Sequence, residues 1–221
     1  MPLETTGTPS SAPFPLTVID RDVLAMSDDD FHPQTWEELE QIVAENNLSV
    51  LKRWPSDLKR YIKWSAETKE AYGSVPNFVM KERLKWVTLP SSTPESGPKF
   101  VIKNPVPFAD EADYKILVND WPYGLASGIR HIIVWLKMRL ESEATRGDMT
   151  PKSRQLVEDF IQTKFVNRVK DLPGEKEKII WFKNWTALQS VPGMEHVHVL
   201  VRDVPDSVIQ EWTDGVRPLS T

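Results

Sequence analysis

The chain has 221 residues, of which 40% are apolar and 27% charged, a composition able to bury a core. Its 27 Lys and Arg against 32 Asp and Glu give a net charge of −5, which argues against nucleic-acid binding by bulk charge. There is no cysteine, so disulfide frameworks, thiol nucleophiles, iron–sulfur clusters and Cys-type zinc sites are excluded together.

Residues 1–13 are mostly Thr, Ser, Pro and Gly without an apolar run, and predict a disordered tail rather than a signal peptide or membrane anchor. No later stretch approaches the roughly 20 apolar residues of a spanning helix. The expectation is a soluble cytoplasmic chain, with the nucleus also open to it.

Residues 14–89 read as a helical N-terminal portion. Thr35 and Glu38 have capping-box spacing, and Trp36, Leu39, Ile42 and Val43 recur behind them at helical period before Asn46 and Asn47. Ser56 and Asp57 start a second helix with Leu58, Tyr61, Ile62 and Trp64 inward, ending near Gly73. Asn77 is a candidate cap for a third, running through Phe78, Leu84 and Trp86. The basic run Lys52, Arg53, Lys59, Arg60 and Lys63 suits either an anion site or the solvated face of a helix. His32, in a turn before Pro33, reads as a surface or capping residue.

Residues 90–99 form a Pro- and Ser-rich loop, residues 100–210 an α+β domain and residues 211–221 a C-terminal tail. Four short segments rich in β-branched and aromatic residues predict strands at 114–119, 131–137, 178–183 and 195–202. Thr150 and Pro151 open a helix between the second and third. The fold class is therefore α+β, with the helical N-terminal portion packed on an antiparallel β-sheet.

Alternation along the last strand puts Val197, Val199 and Val201 on one face and Met194, His196, His198, Leu200 and Arg202 on the other. His196 and His198 then lie about 6.5–7 Å apart, beside an arginine. Two imidazoles so placed suit a shared phosphate or metal ion; hydrogen-bonded histidines on a half-exposed sheet are the alternative. A metal would draw a third ligand from Asp120 or Asp203, neither at a telling spacing, so no metal residues and no cofactor are assigned. Asn184, Gln189 and Ser190 are donors suited to oxyanions, and Pro192-Gly193 turns their loop back toward the histidines. Asp120-Trp-Pro-Tyr-Gly124 reads as a turn anchored by aromatic packing.

Several segments together resemble the fungal N-acetylglucosamine-induced protein family, a domain family of unknown function. They are Met26-Ser-Asp-Asp-Asp-Phe31, Thr35-Trp-Glu-Glu-Leu39, Leu51-Lys-Arg53, Pro55-Ser-Asp-Leu-Lys-Arg-Tyr61, Tyr72-Gly-Ser74, Asn119-Asp-Trp-Pro-Tyr-Gly124, Phe182-Lys-Asn-Trp185 and Glu195-His-Val-His198. The resemblance implies a fungal source and a link to amino-sugar metabolism.

The order of elements from Tyr114 to Arg202 also resembles the histidine-triad superfamily of nucleotide hydrolases and transferases. In that register His196 matches the nucleophilic histidine and His198 the third, while Met194 stands at the first triad position. The Ser190–His196 loop is about one residue longer than the family's. The resemblance implies a diverged histidine-triad-like fold and a phosphate-ester or nucleotidyl hydrolase or transferase. His196 would attack phosphorus, His198 would assist the leaving group and His131 would orient the pair. Asn184, Gln189 and Ser190 would hold phosphoryl oxygens, and Trp121, Tyr123 or Trp185 would stack on a base or sugar. Two alternatives stand beside this: a non-catalytic nucleotide or phospho-ligand binder, and a metal-dependent site on His196 and His198. The expected partner is a small phosphorylated ligand or nucleotide, with no membrane and no nucleic acid; a homodimer is compatible with the sequence.

Overall fold

The computed structural model describes residues 12–90, 92, 97–143, 147–174, 177–185, 188–189, 191 and 193–220. Most of the N-terminal tail, five positions of the 90–99 loop and Ser190 therefore lie outside the described residues.

Helices α1 (Val18–Leu24), α2 (Trp36–Ala44) and α3 (Pro55–Tyr72) begin where local chemistry sets them. Thr35 and Glu38 satisfy each other's free amides as a capping box, and Thr17 and Asp20 do the same for α1. Asn46 adopts positive φ just past the end of α2. Pro55 sits at the first position of α3, and Gly73 closes it in the left-handed conformation. The cap of α4 (Val75–Phe78) is Ser74, not Asn77: the Ser74 hydroxyl accepts from the Asn77 amide, so Asn77 is already inside the helix. A π-helical turn, Val79–Leu84, then carries the chain to Lys85.

Strands β1 (Tyr114–Val118), β2 (Ile129–Leu136), β3 (Ile179–Phe182) and β4 (Glu195–Arg202) form one antiparallel sheet in the order β1-β2-β4-β3. Thr150 caps α5 (Pro151–Ile161), which continues through Gln162–Val166 to Asn167–Val169. Helix α6 (Asp206–Thr213) runs across residue 210, where the sequence suggests the start of a tail. Among the described residues no helix is long and apolar enough to cross a membrane.

Both sheet faces are covered. Ile132, Val134, Val197, Val199 and Val201 pack against Val157, Phe160 and Phe165 of the α5 segment and Ile209 and Trp212 of α6. The opposite face carries the histidines and lies under the N-terminal portion. There Leu117, Ile133, Trp135 and Met194 meet Val79 and Leu84, while Ile180, Phe182 and Leu200 meet Trp36 and Leu39. A half-exposed histidine face is thus ruled out, because α1–α4 supply a third layer that removes it from water.

The motif ending in Gly124 ties that third layer to the sheet. The Gly124 amide donates to the Lys52 carbonyl at 2.8 Å, and its own carbonyl accepts from the Gln34 amide at 2.9 Å. A Cβ here would fall 2.4 Å from the Phe31 ring, which is buried against Trp54, and 3.2 Å from the Trp54 nitrogen. Gly124→Ala is expected to cost about 1–3 kcal/mol by overpacking. A denaturant midpoint equal to the wild type's would show that the layer yields freely at this point.

Candidate functional site

The register of β2 against β4 pairs Ile133 with His198 and Trp135 with His196, placing His131 diagonally beside His198. His131, His196 and His198 are all buried. Their ring centroids lie 5.1 Å apart from His131 to His198 and from His198 to His196. Phe182 of β3 stacks on His198 at 4.8 Å, Trp135 packs on His196 at 4.7 Å and Tyr123 stacks on His131 at 5.1 Å. Burial, the largest cause at each, pushes His131 down to about 3, His196 down to about 4 and His198 well below the usual imidazole range. All three are neutral at pH 7.

Neutral imidazoles have one donor and one acceptor nitrogen, so their partners determine the tautomers. His196 Nδ1 lies 2.8 Å from the Met194 carbonyl oxygen, which can only accept. Nδ1 therefore carries the proton and Nε2 carries a lone pair. At His131 the order reverses. The Asn119 carboxamide nitrogen and the Tyr123 amide approach Nδ1 at 3.1 and 3.4 Å, and both are donors because the Asn119 oxygen already accepts from the Trp121 amide. His131 Nδ1 therefore accepts, and Nε2–H donates to His198 Nδ1 at 2.9 Å. His198 Nε2–H must then find an acceptor, and the Asn184 carboxamide stands 3.2 Å away. The carboxamide nitrogen of Asn184 faces both His198 Nε2 and the Tyr123 hydroxyl, to which it donates at 3.1 Å, while its oxygen has no partner among the described residues; exchanging the two ends of the carboxamide lets the oxygen accept from both and the row of hydrogen bonds run in one direction. His131 and His198 are occupied by this row. Among the described residues His196 Nε2 has no hydrogen-bond partner.

Two cavities meet beside these groups. The inner one holds about 60 Å³, and its lining includes His196, His198, Asn119, Trp121, Trp135 and Arg53. It takes a few waters or one tetrahedral anion, not a whole nucleotide. The outer cleft, about 340 Å³, lies between Thr17 and Asp20 of the first cap, Leu51, and Asn184, Leu188 and Gln189. Arg53, Tyr61 and Tyr123 line both. On the inner wall Arg83 grips Asp120 through a two-point ion pair of 2.8 and 2.9 Å. The C-terminal segment is strapped across it: Arg83 donates to the Arg217 carbonyl, and the Leu219 amide donates to Asp120.

Of the residues expected at the site, His196, His198, Trp121 and Tyr123 line the inner cavity, His131 stands behind them bonded to His198, and Asn184, bonded to His198 and Tyr123, lines the outer cleft. Gln189 lines the outer cleft, where its amide donates to the Asn184 carbonyl. Ser190 lies outside the described residues. Trp185 packs in the core with Trp36 and Leu39. Arg202 shares the histidine face but stands at the far end of β4, where it lies over the Trp36 ring, faces Glu37 and donates to the Glu177 carbonyl. His32 is exposed and pairs with Glu38. Sequence reasoning passed over Arg53, Tyr61, Asn119 and Trp135 as site residues; the basic run marked Arg53 as a cation, but nothing local showed where it points. Among the described residues no group of three or more His, Asp or Glu side chains is arranged to hold a metal ion.

Beside His196, Lys183 and Glu195 form a buried ion pair, 3.1 Å apart with side chains 4% and 10% exposed. Burial raises the Glu195 carboxyl and Lys183 opposes the rise. Lys183→Met is expected to destabilise the fold by about 3 kcal/mol, because the carboxylate is left desolvated. The double variant Lys183→Met with Glu195→Leu is expected to recover most of that in urea melts. Equal costs for the single and double variants would mean that the pair is not coupled.

The fold and site define an α+β protein whose sheet buries a cluster of neutral histidines beneath a helical layer. The family model described as "Protein of unknown function (DUF3605)" matches residues 35–202, and the chain belongs to that family. It is 27% identical over 191 residues to N-acetylglucosamine-induced protein 1 of Candida albicans, covering 83% of this chain and 74% of the relative. An uncharacterised protein of Saccharomyces cerevisiae is 25% identical over 166 residues, covering 75% and 77% of the two chains. The crystal structure of HTC1 shares the fold with a TM-score of 0.62 at 20% identity, covering 83% of this chain and 97% of that one.

Proposed function

We propose that this chain is a phosphate-ester or nucleotidyl hydrolase or transferase that uses His196 as its nucleophile, on a diverged histidine-triad-like sheet. The observation that carries the reading is the tautomer of His196. The Met194 carbonyl holds the proton on Nδ1, burial keeps the ring neutral, and the Nε2 lone pair is left to the cavity. Met194 supplies its backbone oxygen, so the loss of a histidine side chain at that position leaves this contact in place.

In the proposed reaction the Nε2 lone pair forms a bond to phosphorus as the ester P–O bond breaks. The leaving oxygen departs with that electron pair and takes a proton from water. Water, or an acceptor hydroxyl in a transferase, then attacks phosphorus, the P–N bond breaks, and its electron pair returns to Nε2 as the attacking oxygen loses a proton. His198 and His131 hold the scaffold neutral and correctly hydrogen-bonded rather than exchanging protons with substrate. The name of the Candida relative records induction by N-acetylglucosamine, which supports a role near amino-sugar or nucleotide-sugar metabolism.

The small inner cavity favours a second reading, a phospho-ligand binder without turnover. Incubation with nucleoside phosphoramidates, dinucleoside polyphosphates, nucleotide sugars and sugar phosphates, with release followed by chromatography, separates the two. The enzyme reading expects turnover and an acid-labile histidine adduct detectable by mass spectrometry. Binding without release or adduct supports the binder.

A further inference from the structure

Among the described residues Arg53 is the cation of the site without a carboxylate partner. Its Nε donates to the Trp121 carbonyl at 3.3 Å, and its guanidinium lies over the rings of Tyr61 at 4.5 Å and Tyr123 at 5.7 Å. These contacts hold the group in place, and the Lys52 carbonyl just before it is pinned by Gly124. Its two terminal nitrogens have no hydrogen-bond or ion-pair partner among the described residues.

The other charges around the inner cavity cancel or are absent. Arg83 is matched by Asp120, and the three histidines are neutral. Across the outer cleft Asp20 Oδ2 accepts from the amide and hydroxyl of Thr17, and this carboxylate keeps its charge without pairing with Arg53. Among the described residues the Trp121 indole N–H, on a ring 8% exposed that lines the inner cavity, also lacks a partner. An uncompensated fork of N–H donors and an orphaned N–H donor thus border one small cavity. A buried indole N–H without an acceptor is costly, and a tetrahedral oxyanion held by the half-buried Arg53 would satisfy it.

We propose that Arg53 and the Trp121 indole N–H hold a phosphate group in the inner cavity, with the esterified part of the ligand in the outer cleft beyond Tyr61 and Tyr123. The proposal deepens the reading of His196 by naming the substrate class: phosphate monoesters with a small, hydroxyl-bearing body. The inner cavity has room for the phosphate alone, while the outer cleft offers Thr17, Ser49, Asn184 and Gln189 for hydroxyls. It also explains why the helical layer belongs to the site, since the sheet domain by itself has no such cation.

The test is titration of the full chain with inorganic phosphate, read by calorimetry and by the ¹H–¹⁵N signal of the Trp121 indole, assigned by its absence in Trp121→Phe. The wild type is expected to bind with a downfield shift of that signal. Arg53→Ala is expected to weaken binding about 10- to 100-fold. Arg53→Lys, which keeps the charge and loses the fork, is expected to lie between the two. If Arg53→Ala does not fold, the Arg53→Lys and Trp121→Phe affinities decide. Phosphate affinity unchanged in a folded Arg53 variant, or an indole signal that phosphate does not move, overturns the proposal. The two readings fail separately. Phosphate held through Arg53 without ester turnover sinks the enzyme and keeps the anion site; turnover that needs His196 but ignores Arg53 does the reverse.

Discussion

Replacing His196 by alanine is expected to lower phosphate-ester turnover by at least about a thousandfold, the scale on which loss of a nucleophile acts. Alanine also leaves the Met194 carbonyl without its donor, so a loss of stability accompanies the loss of rate. His196→Asn separates the two effects. Its carboxamide N–H can still serve that carbonyl, but it has no lone pair for phosphorus. The asparagine variant should therefore melt closer to the wild type than the alanine variant and be equally inactive. His131→Gln and His198→Gln act through hydrogen bonding and are expected to lose less activity. Retained turnover in a folded His196→Asn would remove His196 from the chemistry.

The second large effect is on acid stability. His131, His196 and His198 have folded-state values pushed below the ordinary 6.5 by burial, to about 3 and about 4 for the first two. The unfolded chain therefore binds up to three more protons than the folded one between about pH 6 and pH 4. The stability these neutral rings contribute is present above pH 6.5 and is lost as pH falls toward their folded-state values. Three protons give a slope of about 4 kcal/mol per pH unit, so two units approach a typical domain's whole stability of about 5–15 kcal/mol. Burial raises the carboxyls of Asp120 and Glu195, which works in the opposite sense at the acid end of the window. Urea midpoints measured from pH 7 to pH 4.5 are expected to fall steeply below pH 6. Replacing one of the three histidines by glutamine should reduce the slope by about one third. A slope of one proton or fewer would mean that the cluster admits water and titrates normally.

Much of the fold was legible because its signals are local. The capping box at Thr35 and Glu38, Thr150 and Pro151 at a helix start, the β-branched run expected at 131–137 and the alternating strand at 195–202 each depend on residues within a turn or two of one another. The misplaced cap at Asn77 shows the limit. Ser74 and Asn77 are both cap residues by type, and the Pro76 between them fits the first turn of a helix begun at Ser74. Helix α6 was missed because its apolar residues, Val208, Ile209 and Trp212, are too few to show a period before they dock on α5.

The site divides in the same way. His196 and His198 were readable because strand alternation alone puts them on one face. His131 joins them only through the register of β2 on β4, a pairing across 67 positions that no local pattern encodes. Arg53 looked like one member of a basic run on a helix. Tertiary packing turns it toward Tyr61 and Tyr123, while Arg60 pairs outside with Asp57. The sequence by itself determined the element types, the absence of thiol chemistry and the concentration of scarce imidazoles on one strand. The tertiary structure decided that the helical layer closes over those imidazoles, that burial keeps them neutral, and that the Arg53 guanidinium, unpaired among the described residues, stands where the two cavities meet. The physical reason is that capping and alternation act over a few residues, whereas burial, tautomer and charge balance are properties of groups brought together from distant parts of the chain.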